Sequence, residues 1–209
     1  MTRHKISRLT LILACGLTVL SSCQSNTEDK KVSEDQAIST PKPPGRLDSS
    51  QIIKENVLVD YIAAAKTIRQ NPKNGVPFSK LDYDKLIAYD FAGSANTYPS
   101  VIDQKGNFVP VVMGQQYLSQ EQADKILSAL TNNSTYGEVT AACFEPHFAL
   151  VLYKDNKKVT QINVCLDCNY LIAEIEIPAE THGFTESGRK AIIDLCKELN
   201  FRYGSLEKI

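Results

Sequence analysis

The chain has 209 residues, 43% of them hydrophobic, with 23 Lys and Arg set against 24 Asp and Glu for a formal charge of −1. That balance argues against the basic surface on which nucleic-acid binding and adhesion to anionic lipid depend. Beyond its N-terminal segments, the chain is long enough for one domain with a sizeable core.

Arg3, Lys5 and Arg8 precede an apolar run from Leu9 to Leu20, and Leu20-Ser21-Ser22-Cys23 closes it with small residues before a cysteine. This is the order of a cleaved secretory signal. The run of about 12 residues falls short of the roughly 20 that a helix needs to cross a bilayer. The closing tetrapeptide resembles the lipobox of bacterial lipoproteins. The resemblance implies cleavage after Ser22, diacylation of the Cys23 thiol and acylation, typically with palmitate, of the new N-terminus. Two or three acyl chains hold a protein on a membrane far better than one. Removing residues 1–22 takes away Arg3, Lys5 and Arg8 and no acid, so the formal charge of −1 becomes −4. In the sorting rule of enteric lipoproteins, Gln24 after the lipidated cysteine directs the protein to the outer membrane, facing the periplasm or the cell surface. The expected location is therefore the cell envelope, with the lipid as the membrane contact.

Residues 23–50 then read as the lipidated cysteine and a disordered tether. The stretch is rich in Ser, Thr, Lys, Glu, Asp and Pro, and it cannot bury enough apolar surface to offset its ordering entropy. As a flexible coil it would hold the folded part roughly 30 Å from the bilayer. Residues 51–209 are expected to form a single domain.

Within that domain Ile53, Val57, Leu58, Tyr61, Ile62, Ala65 and Ile68 recur at helical spacing, and Pro72 ends the pattern. Lys85 to Gly93 reads as a strand. A second begins near Asn107, with Pro110 marking it as an edge or bulged strand, and a polar loop lies between. Ser119 and Gln122 form a capping box ahead of a helix whose apolar face is Ala123, Ile126, Leu127 and Leu130. Three strand-like runs follow, 141–153, 158–164 and 170–177, the first two joined by a hairpin turn at Asp155-Asn156. The third alternates Leu171, Ala173, Ile175 and Ile177 with Tyr170, Ile172, Glu174 and Glu176, one buried face and one wet. Thr185 caps a last helix carrying Ala191, Ile192, Leu195, Cys196 and Leu199. The expected fold is α+β, a mainly antiparallel sheet of about five strands with helices packed on it. The pattern from Leu118 to Tyr170, with "CFEPHFALVLY" and "INVCLDC", resembles domains of uncharacterised exported bacterial proteins, and no activity is implied by that likeness.

With Cys15 in the signal and Cys23 under lipid, the domain keeps Cys143, Cys165, Cys168 and Cys196, and two histidines, His147 and His182. Three readings compete. In an oxidising compartment four thiols can form a disulfide framework. A hairpin turning at Asp155-Asn156, continued without interruption, sets Cys143 opposite Cys168, with β-carbons within about 5.5 Å. A Cys165–Cys168 disulfide instead requires the chain to leave extended geometry at Leu166-Asp167, where Asp167 and Asn169 tolerate a turn. The second reading is a metal or haem site. Cys143, His147, Cys165 and Cys168 make up a zinc ligand set with a Cys-x-x-Cys half-site, but four strand residues separate Cys143 from His147 by roughly 13 Å unless Pro146 bulges the strand. The third is a thiol-redox centre, which here lacks the helix N-terminus that lowers the thiol pKa in thioredoxin-like proteins. Cys196 reads as a small core residue and His182 as a loop residue.

No phosphate-binding glycine loop, nucleophile elbow or zinc-protease helix is present. Asn132 to Thr135 contains glycosylation sequons that read as a polar loop. Glu145 beside His147, and the pair Glu174 and Glu176, read as wet-face acids. The leading expectation is a lipid-anchored binding or structural module of the cell envelope with no catalytic motif, and with its protein or small-molecule ligand unidentified. The competing expectation is a metal-binding or thiol-redox protein built on Cys143, His147, Cys165 and Cys168.

Overall fold

Five segments rich in β-branched and aromatic residues pair into one antiparallel sheet in a computed structural model of the chain, which describes residues 49–205. The expected signal peptide, Cys23 and the tether up to residue 48 lie outside the described residues. The strands are β1 (Lys85–Phe91), β2 (Val112–Tyr117), β4 (Phe148–Lys154), β5 (Lys157–Cys165) and β6 (Tyr170–Ala173), in the spatial order β2-β1-β4-β5-β6. Two short strands, β3 (Tyr136–Glu138) and β7 (Gly183–Phe184), form a second antiparallel sheet. The helices are α1 (Glu55–Ala64), α2 (Gln120–Leu130) and α3 (Glu186–Glu198). The class is α+β.

Both faces of the main sheet are covered. Leu86, Ala88, Leu150, Leu152, Ile162 and Val164 pack against the apolar stripes of α2 and α3. Their neighbours along the strands, Ile87, Tyr89, Ala149 and Val151, pack against Leu58 and Ile62 of α1 and against Val101 and Ile102. Successive side chains on a strand point to opposite faces, so a strand covered on both sides reads as a continuous apolar run, as "LIAY" in β1 does. Two polar side chains on β5 fasten the long 92–111 loop to this second face. Asn163 Oδ1 accepts from Val101 N at 3.0 Å, and Gln161 bonds both N and O of Ile102 at 3.1 and 2.8 Å. The buried amide of Gln161 is thereby bonded at both its oxygen and its nitrogen.

Several elements differ from expectation. Helix α1 stops at Ala64, and Ile68 instead bonds Asp84 O in extended conformation. The buried Lys85 ammonium takes over the helix end, donating to Ile62 O at 2.7 Å and to Asn156 Oδ1 at 2.6 Å. Strand β2 begins at Val112 because residues 101–109 fold back on themselves. Asp103 Oδ1 accepts from Lys105 N and Asn107 N, Gly106 takes a positive φ of 88°, and Val109 N returns to Val101 O. Strand β2 does lie at the sheet edge. Ser119 and Gln122 make the complete capping box, and Thr185 caps α3 by accepting from Gly188 N.

The β4–β5 hairpin turns at Asp155 and Asn156 with φ of 48° and 63°, the left-handed pair of a type I′ turn. Its register holds for Lys154 opposite Lys157 and Tyr153 opposite Lys158. Leu152 then pairs with Thr160, so Val159 is an extra residue and the register slips by one. The run expected from Ala141 is strand only from Phe148. The uninterrupted ladder that would have set Cys143 opposite Cys168 is therefore absent, for two reasons: the Val159 bulge, and Pro146, which has no N–H to give to a ladder.

Candidate functional site

Cys165 is the last residue of β5, and the chain turns through residues 166–169 with Asn169 in the left-handed region at φ 62°. The turn folds Cys168 back on Cys165, and the two form a disulfide with Cα atoms 5.2 Å apart. Both are fully buried. Phe144 and Tyr170 cover the bond, their ring centroids 5.0 Å apart.

The turn is clamped from three directions. Arg189 of α3 donates through Nη1 to Leu166 O and Asn169 Oδ1. Tyr203, in the C-terminal turn Arg202–Ser205, accepts from Leu166 N at 3.0 Å. Asn169 Nδ2 donates to Val139 O and Phe184 O, joining the turn to the small sheet. Gly183 fits here because a β-carbon at that position would come within 2.6 Å of Asn169 O.

Although it leaves the ladder, the segment ahead of β4 still runs beside the turn. Ala141 N donates to Cys168 O at 2.9 Å, and Tyr170 OH donates to Cys143 O at 2.9 Å. These bonds bring Cys143 Sγ to 2.8 Å from Cys168 Sγ. That is well inside the ~3.5–4.0 Å optimum for non-bonded heavy atoms. Cys143 carries a free thiol on an exposed residue. Two backbone amides point at the sulfurs: Cys168 N donates to Cys165 Sγ at 3.1 Å and Glu145 N to Cys168 Sγ at 3.4 Å. Three sulfurs thus share one disulfide, with Cys168 in the middle.

The fourth proposed ligand faces elsewhere. His147 Nδ1 lies 3.3 Å from Phe91 O, and its ring packs 5.6 Å from Tyr203. Burial, with the Arg202 guanidinium adding to it, holds this imidazole below its ordinary pKa. Among the described residues no group of three or more His, Cys, Asp or Glu side chains is arranged to hold a metal ion. Zinc ligation would need the Cys165–Cys168 bond reduced and His147 turned away from Phe91. Cys196 stands apart as a free, buried thiol on α3, and burial pushes its pKa up. Glu174 pairs with Lys158 and accepts from Gln161, as a partly wet acid on the sheet does.

Beside the sulfurs lies an open groove of about 490 Å³, lined by Glu138, Val139, Thr140, Tyr170, Glu180 and His182 among others. Val139 is 85% exposed there, and burial pushes the Glu180 carboxyl up to about 7. His182 is exposed and its ring contacts Thr181 Oγ1. The sequence offered no pattern for Arg189 or Glu180, and it set Tyr170 on a wet face, whereas the structure packs its ring on the disulfide. Chemically, a thiol held against one sulfur of a disulfide is the arrangement for thiol–disulfide exchange, in which a thiolate attacks and the second sulfur leaves. Comparisons with protein-family models, with curated proteins and with solved structures each find no match.

Proposed function

We propose that the chain is an envelope lipoprotein whose folded module carries out thiol–disulfide exchange through Cys143, Cys165 and Cys168. The contact of 2.8 Å between Cys143 Sγ and Cys168 Sγ carries this reading. The loop closed by the disulfide supports it. A staple gains its stabilising effect from the length of chain that it closes, and a sequence separation of 3 is close to the minimum. The lipobox-like "LSSC" adds the compartment, since disulfides persist outside the cytosol. The test is to hold the full chain in detergent micelles with reduced glutathione and follow loss of the disulfide by alkylation. Exchange on a scale of minutes supports the reading, and a bond that outlasts hours of treatment removes it. Anchoring is tested separately by globomycin, which blocks lipoprotein signal cleavage. Normal maturation under the drug would remove the lipid from the account.

The groove over Tyr170 favours a second reading, a binding module in which the disulfide only backs Tyr170, one of the lining residues. Small-molecule fragments whose amide shifts converge on Val139, Tyr170 and Gly183 would support it. Shifts scattered over the surface would not.

A further inference from the structure

We infer that the three cysteines work as a directional relay in which Cys143 meets external thiols, Cys168 carries the exchanging bond and Cys165 is its internal terminus. This rests on the exchange reading above and adds the order of the sulfurs and the class of substrate.

The geometry distinguishes the three positions. Cys165 and Cys168 are fully buried beneath Phe144 and Tyr170, so an external thiol has no path to either. Cys143 is the exposed member, and its backbone is tied in place through Tyr170 OH. Its sulfur touches Cys168. In the first step Cys143 gives its proton to solvent and its thiolate attacks Sγ of Cys168. The Cys143–Cys168 bond forms, the Cys165–Cys168 bond breaks, and the electron pair leaves on Cys165. The Cys168 N–H already donates to that sulfur, which makes Cys165 the stabilised leaving group. The step is redox-neutral and moves the disulfide to the surface.

In the second step an external thiolate attacks Sγ of Cys143, and the pair leaves on Cys168, where Glu145 N donates. A mixed disulfide remains on Cys143, and a second external thiol releases it as an external disulfide. Two external thiols are oxidised and the one protein disulfide is reduced. The same steps run backward with an external disulfide as the oxidant and restore the resting state. The substrate class is a thiol or disulfide able to reach Cys143, whether of a small molecule or of an unfolded polypeptide.

The experiment compares the full-length wild type in micelles with Cys143→Ala, Cys165→Ala and Cys168→Ala variants. Each is given reduced and oxidised glutathione, or an unfolded peptide carrying one cysteine, then acid-quenched and mapped without reduction. In the wild type adducts should form on Cys143. Cys168→Ala should accumulate a lasting adduct there because no neighbouring sulfur can displace it. Cys165→Ala should hold a Cys143–Cys168 bond that remains reactive. Cys143→Ala should keep its Cys165–Cys168 bond and lose exchange by about 100-fold or more, because the intramolecular attack is gone. Faster adducts with glutathione assign a small thiol, and faster adducts with the peptide assign a polypeptide thiol. Exchange by Cys143→Ala at the wild-type rate, or adducts on Cys165, overturns the relay while leaving the exchange reading in place. No exchange by the wild type overturns both. Circular dichroism of each variant separates loss of chemistry from loss of fold.

Discussion

Replacing Cys165 with alanine leaves two sulfurs that already touch, and the consequence for stability follows from loop length. In the chain-entropy model a bond between residues 3 apart removes about 2 kcal/mol worth of denatured-state freedom, whereas one between residues 25 apart, Cys143 and Cys168, removes about 3.5 kcal/mol. Reduction should therefore cost the wild type about 2 kcal/mol and oxidised Cys165→Ala about 3.5 kcal/mol. The native state needs little rearrangement, since Ala141 N–Cys168 O and Tyr170 OH–Cys143 O already fix the two segments. The assay is urea unfolding of each protein with and without a phosphine reductant. It is run near pH 5, where few thiolates are present to shuffle bonds in the unfolded chain. The reasoning is refuted if oxidised Cys165→Ala has both remaining cysteines open to alkylation, or if reduction costs the wild type more than it costs the variant.

Further outcomes follow from the same geometry. Arg189→Ala removes two charge-assisted bonds to Leu166 O and Asn169 Oδ1 and should cost about 2–4 kcal/mol in urea unfolding. Arg189→Lys should recover only part of it, because both bonds run from Nη1 and the lysine ammonium ends one bond short of that position. Glu180 has its folded pKa raised to about 7 by burial. From about pH 4.5 to 7 the unfolded chain loses this proton first, so the group's effect on stability becomes unfavourable as pH rises and levels off above 7. Screening by solvent keeps the loss near 1 kcal/mol, and Glu180→Gln should flatten that part of a melting-temperature profile. A profile unchanged by the substitution would count against a buried carboxyl. Ser119→Ala breaks the capping box of α2 and should cost about 0.5–2 kcal/mol, read from thermal melts.

Legibility in the sequence followed the range of the interactions involved. Ser119 with Gln122, Thr185 and the Asp155-Asn156 turn are decided by neighbours within four residues, and each stands in the structure as its pattern predicted. The run expected as a strand over 170–177, by contrast, keeps its alternating burial but is strand only over Tyr170–Ala173. Helix α1 was overextended because Ala65 and Ile68 keep helical spacing while their burial is achieved in an extended segment. The short strands β3 and β7 escaped notice, since two or three residues carry no period and their pairing depends on Asn169 and Gly183 meeting across the fold. The cysteine site was legible in its members and not in its geometry. The turn at Leu166-Asp167 and the tolerance of Asn169 for positive φ could be read in "CLDCN". The bulge at Val159 could not, and it moved the register on which the Cys143 placement had rested. Cys143 still reaches Cys168, held by hydrogen bonds to a segment outside the ladder.

The most direct measurement is acid-quenched, non-reducing peptide mapping of the full chain taken from the cells that make it, with no thiol added. The account predicts that every disulfide between two cysteines of the chain contains Cys168, joined to Cys165 or Cys143, and that Cys196 is always a free thiol. A bond involving Cys196, or a bond between Cys143 and Cys165, would contradict it.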